Sequence, residues 1–177
     1  LGMGTGTYAS QCDRYFDGMN VEGVEIDGKI TDLAHTYFNL DENIPVETYD
    51  GRAYLQTVDT KYDVIMVDAY QDITIPFQMS SVEFFRLVQE HLNDSGVMVV
   101  NMNMRSGSDG INQYLADTIS NVFPYVYTAD VEGSTNRELF ASAADFDKEV
   151  FEEVASEHDE ADFRNIMAKV GESLVKY

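Results

Sequence analysis

The sequence predicts an α/β fold, and three observations carry that prediction. Short apolar runs bounded by turn signals alternate with segments of helical period, the pattern of a mostly parallel sheet covered by helices. The chain opens on Leu1-Gly2-Met3-Gly4-Thr5-Gly6-Thr7 and reaches Val24-Glu25-Ile26-Asp27 about 20 residues later, the spacing at which such a unit sets an acidic residue beside a ribose. Several of the apolar runs stop at a carboxylate.

The elements follow in order. The glycine stretch hands over to a helix over residues 8–17, because glycines at alternate positions let a backbone turn tightly and approach a ligand with no Cβ in the way. The spacing G-x-G-x-G matches the dinucleotide fingerprint only loosely, and an ordinary tight turn is its bland alternative. Residues 21–26 read as a strand and 29–38 as a helix with Ile30, Leu33, Ala34, Tyr37 and Phe38 on one side. Residues 45–49 form the next strand, ended by Asp50-Gly51, with a short helix over 52–57. Residues 62–67 are almost continuously apolar, as in a strand buried on both faces, and stop at Asp68.

Pro76 marks a loop before a helix that starts near Ser80 or Ser81, with Glu83 favouring its N-terminus and Phe84, Phe85, Leu87, Val88 and Leu92 turned inward. Asn93-Asp94-Ser95-Gly96 ends that helix, and residues 97–102 give another buried strand. A helix over 111–122 follows. Residues 125–129 and 138–142 pair as an antiparallel hairpin across Gly133-Ser134. A loop like the opening one normally follows a buried strand, so the first strand of the sheet is expected to come from a segment outside this sequence.

With 177 residues and 44% hydrophobic content, one core is expected. Residues 1–145 form the nucleoside-binding domain, and 146–177 form an acidic helical extension packed on it. No run of 18 apolar residues occurs. Cys12 is the single cysteine, which excludes an internal disulfide and suits a reducing compartment. His35, His91 and His158 are scattered without a cysteine partner, so no metal site is expected. The net charge of −21, from 32 acids and 11 bases, repels a phosphate backbone and excludes nucleic acid as a partner; it favours cationic ligands such as amines. The acids from Asp145 to Asp162 read as a solvated helix face.

Ligands of open α/β sheets bind at the carboxyl ends of the strands, where Glu25, Asp50 and Asp68 would converge. Each is also a common helix-cap or turn residue, and both readings stand. As ligand groups, Glu25 accepts two hydrogen bonds from ribose hydroxyls, and Asp50 accepts one from the exocyclic amine of adenine.

These residues resemble the spermidine synthases, the polyamine aminopropyltransferases. The likeness rests on Leu1-Gly2-Met3-Gly4-Thr5-Gly6, Val24-Glu25-Ile26-Asp27, Asp50-Gly51-Arg52-Ala53-Tyr54-Leu55 and residues 62–72, followed by Ile75-Pro76-Phe77, Glu83-Phe84-Phe85 and residues 96–101. It covers residues 1–142 and looks closest to a bacterial branch in which the domain is fused behind membrane-spanning segments. The resemblance implies a Rossmann-like sheet of the S-adenosylmethionine-dependent methyltransferase type. It also implies aminopropyl transfer from decarboxylated S-adenosylmethionine to an amine such as putrescine.

On this resemblance Asp68 is the catalytic base. Gly2, Gly4, Thr5, Gly6, Glu25, Asp50 and Gly51 bind the nucleoside, and Tyr70, Gln71 and Asp72 contact the amine. The family's glycine loop carries an aspartate where Thr5 stands, and its second loop aspartate is replaced by Gln71, with Asp72 one residue late. No tightly bound cofactor is implied; the adenosyl donor is a co-substrate. The expected partners are a small cationic amine, N-terminal segments of the same protein and a second copy of the chain, in a cytoplasmic domain tethered to a membrane. Two rivals are an ordinary S-adenosylmethionine-dependent methyltransferase and a non-catalytic adenosyl-binding domain of a membrane protein.

Overall fold

The computed structural model describes residues 1–16, 18–69, 75–103, 110–130, 136–146 and 149–177. They divide into two compact units, Leu1–Thr60 with Val67–Met79, and Lys61–Met66 with Ser80–Tyr177.

In the first unit the glycine loop runs into α1 (Thr7–Tyr15). β1 (Gly23–Glu25) and β2 (Val46–Thr48) pair in parallel, with Glu25 opposite Thr48. Each strand leads directly into a capped helix. Asp27 accepts from Lys29 N at 2.9 Å to start α2 (Gly28–Tyr37), and Asp50 accepts from Ala53 N at 2.9 Å to start α3 (Gly51–Leu55). Because parallel strands end on the same edge, Glu25 and Asp50 are delivered to one side of the pair.

The core of this unit is Ala9, Ala34, Leu40 and Ile44, flanked by Met3, Val21 and Val46. Of the apolar side read for α2, only Ala34 enters it. Leu33, Tyr37 and Phe38 are exposed, Tyr37 by 71%.

The second unit is a five-stranded sheet with helices. Its strands are β3 (Tyr62–Val67, whose last residue falls in the first unit), β4 (Leu92–Asn103), β5 (Tyr125–Asp130), β6 (Asn136–Ser142) and β7 (Val175–Lys176), in the order β3-β4-β6-β5-β7. The helices are α4 (Val82–Glu90), α5 (Gly110–Ser120), α6 (Glu149–Glu157) and α7 (Ala161–Ser173). Phe84, Phe85, Val88, Met98, Val100, Ile119 and Leu139 are fully buried. β5 and β6 form the expected antiparallel hairpin, although its expected turn at Gly133-Ser134 lies outside the described residues. β6 also pairs antiparallel with β4, from Val97 opposite Ser142 to Asn103 opposite Asn136, so the hairpin enters the sheet with β6 innermost.

Three features differ from the sequence reading. β3 is buried at Ile65 and Val67 but exposed at Asp63 and Val64, since it ends the sheet order and has a strand on one side only among the described residues. β4 begins at Leu92, five residues before the expected start. β7 was not foreseen: it pairs antiparallel with β5 and brings the Lys176 ammonium 4.9 Å from the Tyr125 ring centroid and 3.7 Å from the Asp145 carboxylate. The Tyr127 hydroxyl donates to the same Asp145, which raises its pKa above the usual tyrosine range.

Among the described residues no helix is long and apolar enough to cross a membrane. A hydrocarbon core of about 30 Å needs about 20 apolar residues in a helix, and α7, the longest helix among the described residues, has 13. The expected link to the branch fused behind membrane-spanning segments is corrected accordingly.

The Ser81 hydroxyl caps α4 by accepting from Phe84 N at 3.3 Å. Ser81→Ala is expected to cost about 1 kcal/mol, read as a lower urea midpoint at unchanged slope.

Candidate functional site

The site is assembled around Leu1, within the first unit. Gly2 N and Met3 N both donate to the Val24 carbonyl, at 2.8 and 3.1 Å, which lays the glycine loop along the end of β1. Gly2, Gly4 and Gly6 hold φ of 74°, 56° and 76°, a left-handed conformation repeated at every second residue. Gly6 then precedes α1, whose Ser10 N donates to the Gly6 carbonyl at 2.9 Å.

Glu25 ties this loop to the strand end. The residue is 8% exposed, and its carboxylate accepts from Gly4 N at 2.9 Å through one oxygen and from Asp27 N at 3.1 Å through the other. A carboxylate offers about four acceptor sites, so two lie beyond these bonds. The acid that the spacing singled out thus has a structural task already, which fixes its orientation.

Asp68 stands at the C-terminal end of β3 and is exposed. Its backbone N donates to the Leu1 carbonyl at 3.0 Å, so the stretch leaving β3 is registered on the first residue of the glycine loop. Gly51 completes the group: a Cβ there would stand 3.4 Å from the Leu1 Cβ. Leu1 therefore joins the glycine loop, the start of α3 and Asp68.

The remaining predicted residues are placed as follows. Asp50 is half-buried and serves as the cap of α3 through one oxygen, the bland role left open for it. The Thr5 hydroxyl lies 3.1 Å from that of Thr7. Tyr70, Gln71 and Asp72 lie outside the described residues. Among the described residues no group of three or more His, Cys, Asp or Glu can hold a metal ion. Arg52 is one residue whose place the sequence reading did not weigh: its guanidinium donates to the Gln78 carbonyl at 2.8 Å.

Comparison with known proteins follows the same outline. The model of the spermine/spermidine synthase domain matches residues 2–155. A probable polyamine aminopropyl transferase of Bifidobacterium longum (strain NCC 2705) is 66% identical over 144 residues, which cover 80% of this chain and 32% of that protein. The chain therefore spans about a third of the length of this curated relative. Among solved structures, a probable spermidine synthase from Corynebacterium glutamicum superposes with a TM-score of 0.73 at 21% identity, over 96% of this chain and 68% of the other. Human methyltransferase-like protein 13, in complex with SAH, gives a TM-score of 0.71 at 22% identity, over 97% and 78% of the two chains. The fold is the Rossmann-like α/β architecture of these structures.

Proposed function

Because this chain belongs to the spermine/spermidine synthase domain family, we propose that it is the nucleoside-binding domain of an aminopropyltransferase, which moves the aminopropyl group of decarboxylated S-adenosylmethionine to a small amine such as putrescine. The observation that carries this reading is the gathering of the glycine loop, Glu25, Gly51 and Asp68 around Leu1. In it, the remaining acceptor sites of Glu25 take the ribose hydroxyls, and Asp50 accepts from the adenine amine. Gly2, Gly4, Thr5, Gly6 and Gly51 line the nucleoside. The single, buried Cys12 fits a reducing compartment, and we place the domain in the cytoplasm.

The chemistry needs a neutral nucleophile. An alkyl amine with a pKa near 10.4 is mostly protonated at pH 7, and freeing its lone pair costs roughly 4–5 kcal/mol. The nitrogen lone pair attacks the carbon beside the sulfonium, the carbon–sulfur bond breaks, and its electrons leave on methylthioadenosine. The Asp68 carboxylate binds the ammonium and accepts the proton that the nitrogen loses.

A second reading, methyl transfer from S-adenosylmethionine itself, is favoured by one residue: Thr5 offers a hydroxyl and no negative charge to a donor's ammonium. Isothermal titration with methylthioadenosine, S-adenosylmethionine and its decarboxylated form separates the two. Preference for the decarboxylated donor, weakened about tenfold in Asp50→Ala, is the expected result. Preference for intact S-adenosylmethionine would replace aminopropyl transfer with methyl transfer.

A further inference from the structure

The glycine loop is fastened at its start, its middle and its exit, and the last fastening leads away from the site. Gly2 N and Met3 N hold the start on the Val24 carbonyl, and Glu25 holds the middle through Gly4 N. The exit is closed by Gly6 N, which donates to the Met3 carbonyl at 3.1 Å, and it is backed by Leu40. A Cβ on Gly6 would stand 2.6 Å from Leu40 Cδ1 and 3.1 Å from Cδ2, so the Leu40 side chain fills the space that a side chain at position 6 would need. Leu40 is buried and shares its core with Ala9 of α1.

Leu40 reaches that seat through a turn that needs support. Asn39, just beyond α2, holds φ 54° and is the one non-glycine residue with positive φ among the described residues. L-residues disfavour that conformation, Asn less than most. Leu40 N then donates back to the Ala34 carbonyl at 3.2 Å. The Leu40 carbonyl is met by His35, whose Nδ1 lies 2.9 Å away; a carbonyl only accepts, so Nδ1 carries the hydrogen and donates. Both main-chain polar groups of Leu40 are thus tied to α2, one by backbone and one by a single side chain. The contact of Leu40 with Gly6 is apolar and non-directional, so its place is set by how the Leu40 main chain is held.

We propose that His35 is a positioning residue for the nucleoside. By holding the Leu40 carbonyl it keeps the Leu40 side chain against Gly6, and so fixes the exit of the glycine loop relative to Glu25. The proposal rests on the reading of this loop as the nucleoside-binding one. It requires no contact between His35 and the ligand. Every step of the link, from α2 through Asn39 and Leu40 to Gly6, lies within the first unit.

Two measurements test it. In titrations with methylthioadenosine, His35→Phe keeps a ring and removes the donor, and is expected to raise the Kd about tenfold, the scale of one acceptor left unsatisfied. His35→Asn, whose amide nitrogen is bonded to Cγ as Nδ1 is, is expected to return the Kd to within about threefold of the wild type. His91 supplies the control, because its Nδ1 makes the same kind of bond, to the Leu87 carbonyl at 2.8 Å, in the second unit. His91→Phe is expected to leave the Kd within about twofold. Equal weakening in His91→Phe, or no recovery in His35→Asn, would mean a general loss of stability or of shape and would overturn the proposal. Hydrogen exchange needs no ligand: His35→Phe is expected to speed exchange of the Gly6 amide at least about tenfold, while the Tyr54 amide, bonded to the Asp50 carbonyl in the same unit, is unchanged. Unchanged Gly6 exchange, or equal acceleration of both amides, overturns the link from His35 to the loop. If the wild-type protein binds no methylthioadenosine yet Gly6 exchange responds as expected, the nucleoside reading fails and the link stands.

Discussion

Asp68→Asn is expected to lower the turnover number for the proposed aminopropyl transfer by about 10²–10⁴-fold, the usual contribution of a positioned proton acceptor. Asparagine keeps the size of the side chain and its hydrogen-bonding reach but cannot take a proton or balance an ammonium. The fold is expected to survive, because the contact that registers this position, Asp68 N to the Leu1 carbonyl, is made by backbone and is blind to the side chain. Affinity for methylthioadenosine stays within about twofold, since the groups assigned to the nucleoside lie on the glycine loop, β1 and α3. Single-turnover rates with putrescine, alongside titration of methylthioadenosine, check both halves. Turnover unchanged in Asp68→Asn would remove Asp68 as the base, and would point to a domain that binds the nucleoside without using this carboxylate.

Gly2→Ala is expected to cost at least about 3 kcal/mol of stability and to abolish nucleoside binding. Two terms add. The residue holds φ +74°, a conformation that costs an L-residue roughly 1–2 kcal/mol. The new methyl would also stand 2.7 Å from the Ala69 Cα and 2.9 Å from its backbone N, a clash with main chain that only a shift of the loop relieves. Gly4→Ala supplies the contrast. It too has positive φ, at +56°, but nothing lies within 4 Å of the added Cβ, so only the conformational term of about 1–2 kcal/mol applies. Paired urea titrations measure the difference. Equal losses in the two variants would mean that the approach of Ala69 to Gly2 carries no energetic weight.

Much of the arrangement around Leu1 was legible because its signals are local. The glycines at positions 2, 4 and 6 announce left-handed backbone, and the interval to Glu25 follows from the length of one helix and one turn. Asp50 shows where that legibility stops. A strand-end carboxylate that caps a helix and one that meets a ligand need the same residue at the same place, and sequence does not separate them. The burial of α2 was misread because its apolar period is genuine, yet the cluster beneath it accepts Ala34 alone. Arg52 was missed because its acceptor is a main-chain carbonyl 26 residues away, which leaves no pattern in either side chain. β7 escaped notice because two residues after an acidic helix carry no periodicity, and the contacts of Lys176 with Tyr125 and Asp145 join positions far apart in sequence.

The insertion of β6 between β4 and β5 has a consequence for the order of events as the chain is made. The edge of β4 that β6 will occupy runs from Val97 to Asn103, and its partners arrive only with Asn136 to Ser142. At translation rates of about 5–20 residues per second, that edge waits for seconds with its backbone groups unsatisfied and Val97, Val99 and Val100 nearby. Pairings this distant in sequence also close slowly, because the loop must be drawn in before any contact rewards it. The newborn chain is therefore most open to mispairing with another copy after β4 has emerged and before Ser142 has. Slowing elongation inside that window is expected to lower the soluble yield, and slowing it after Ser142 is not.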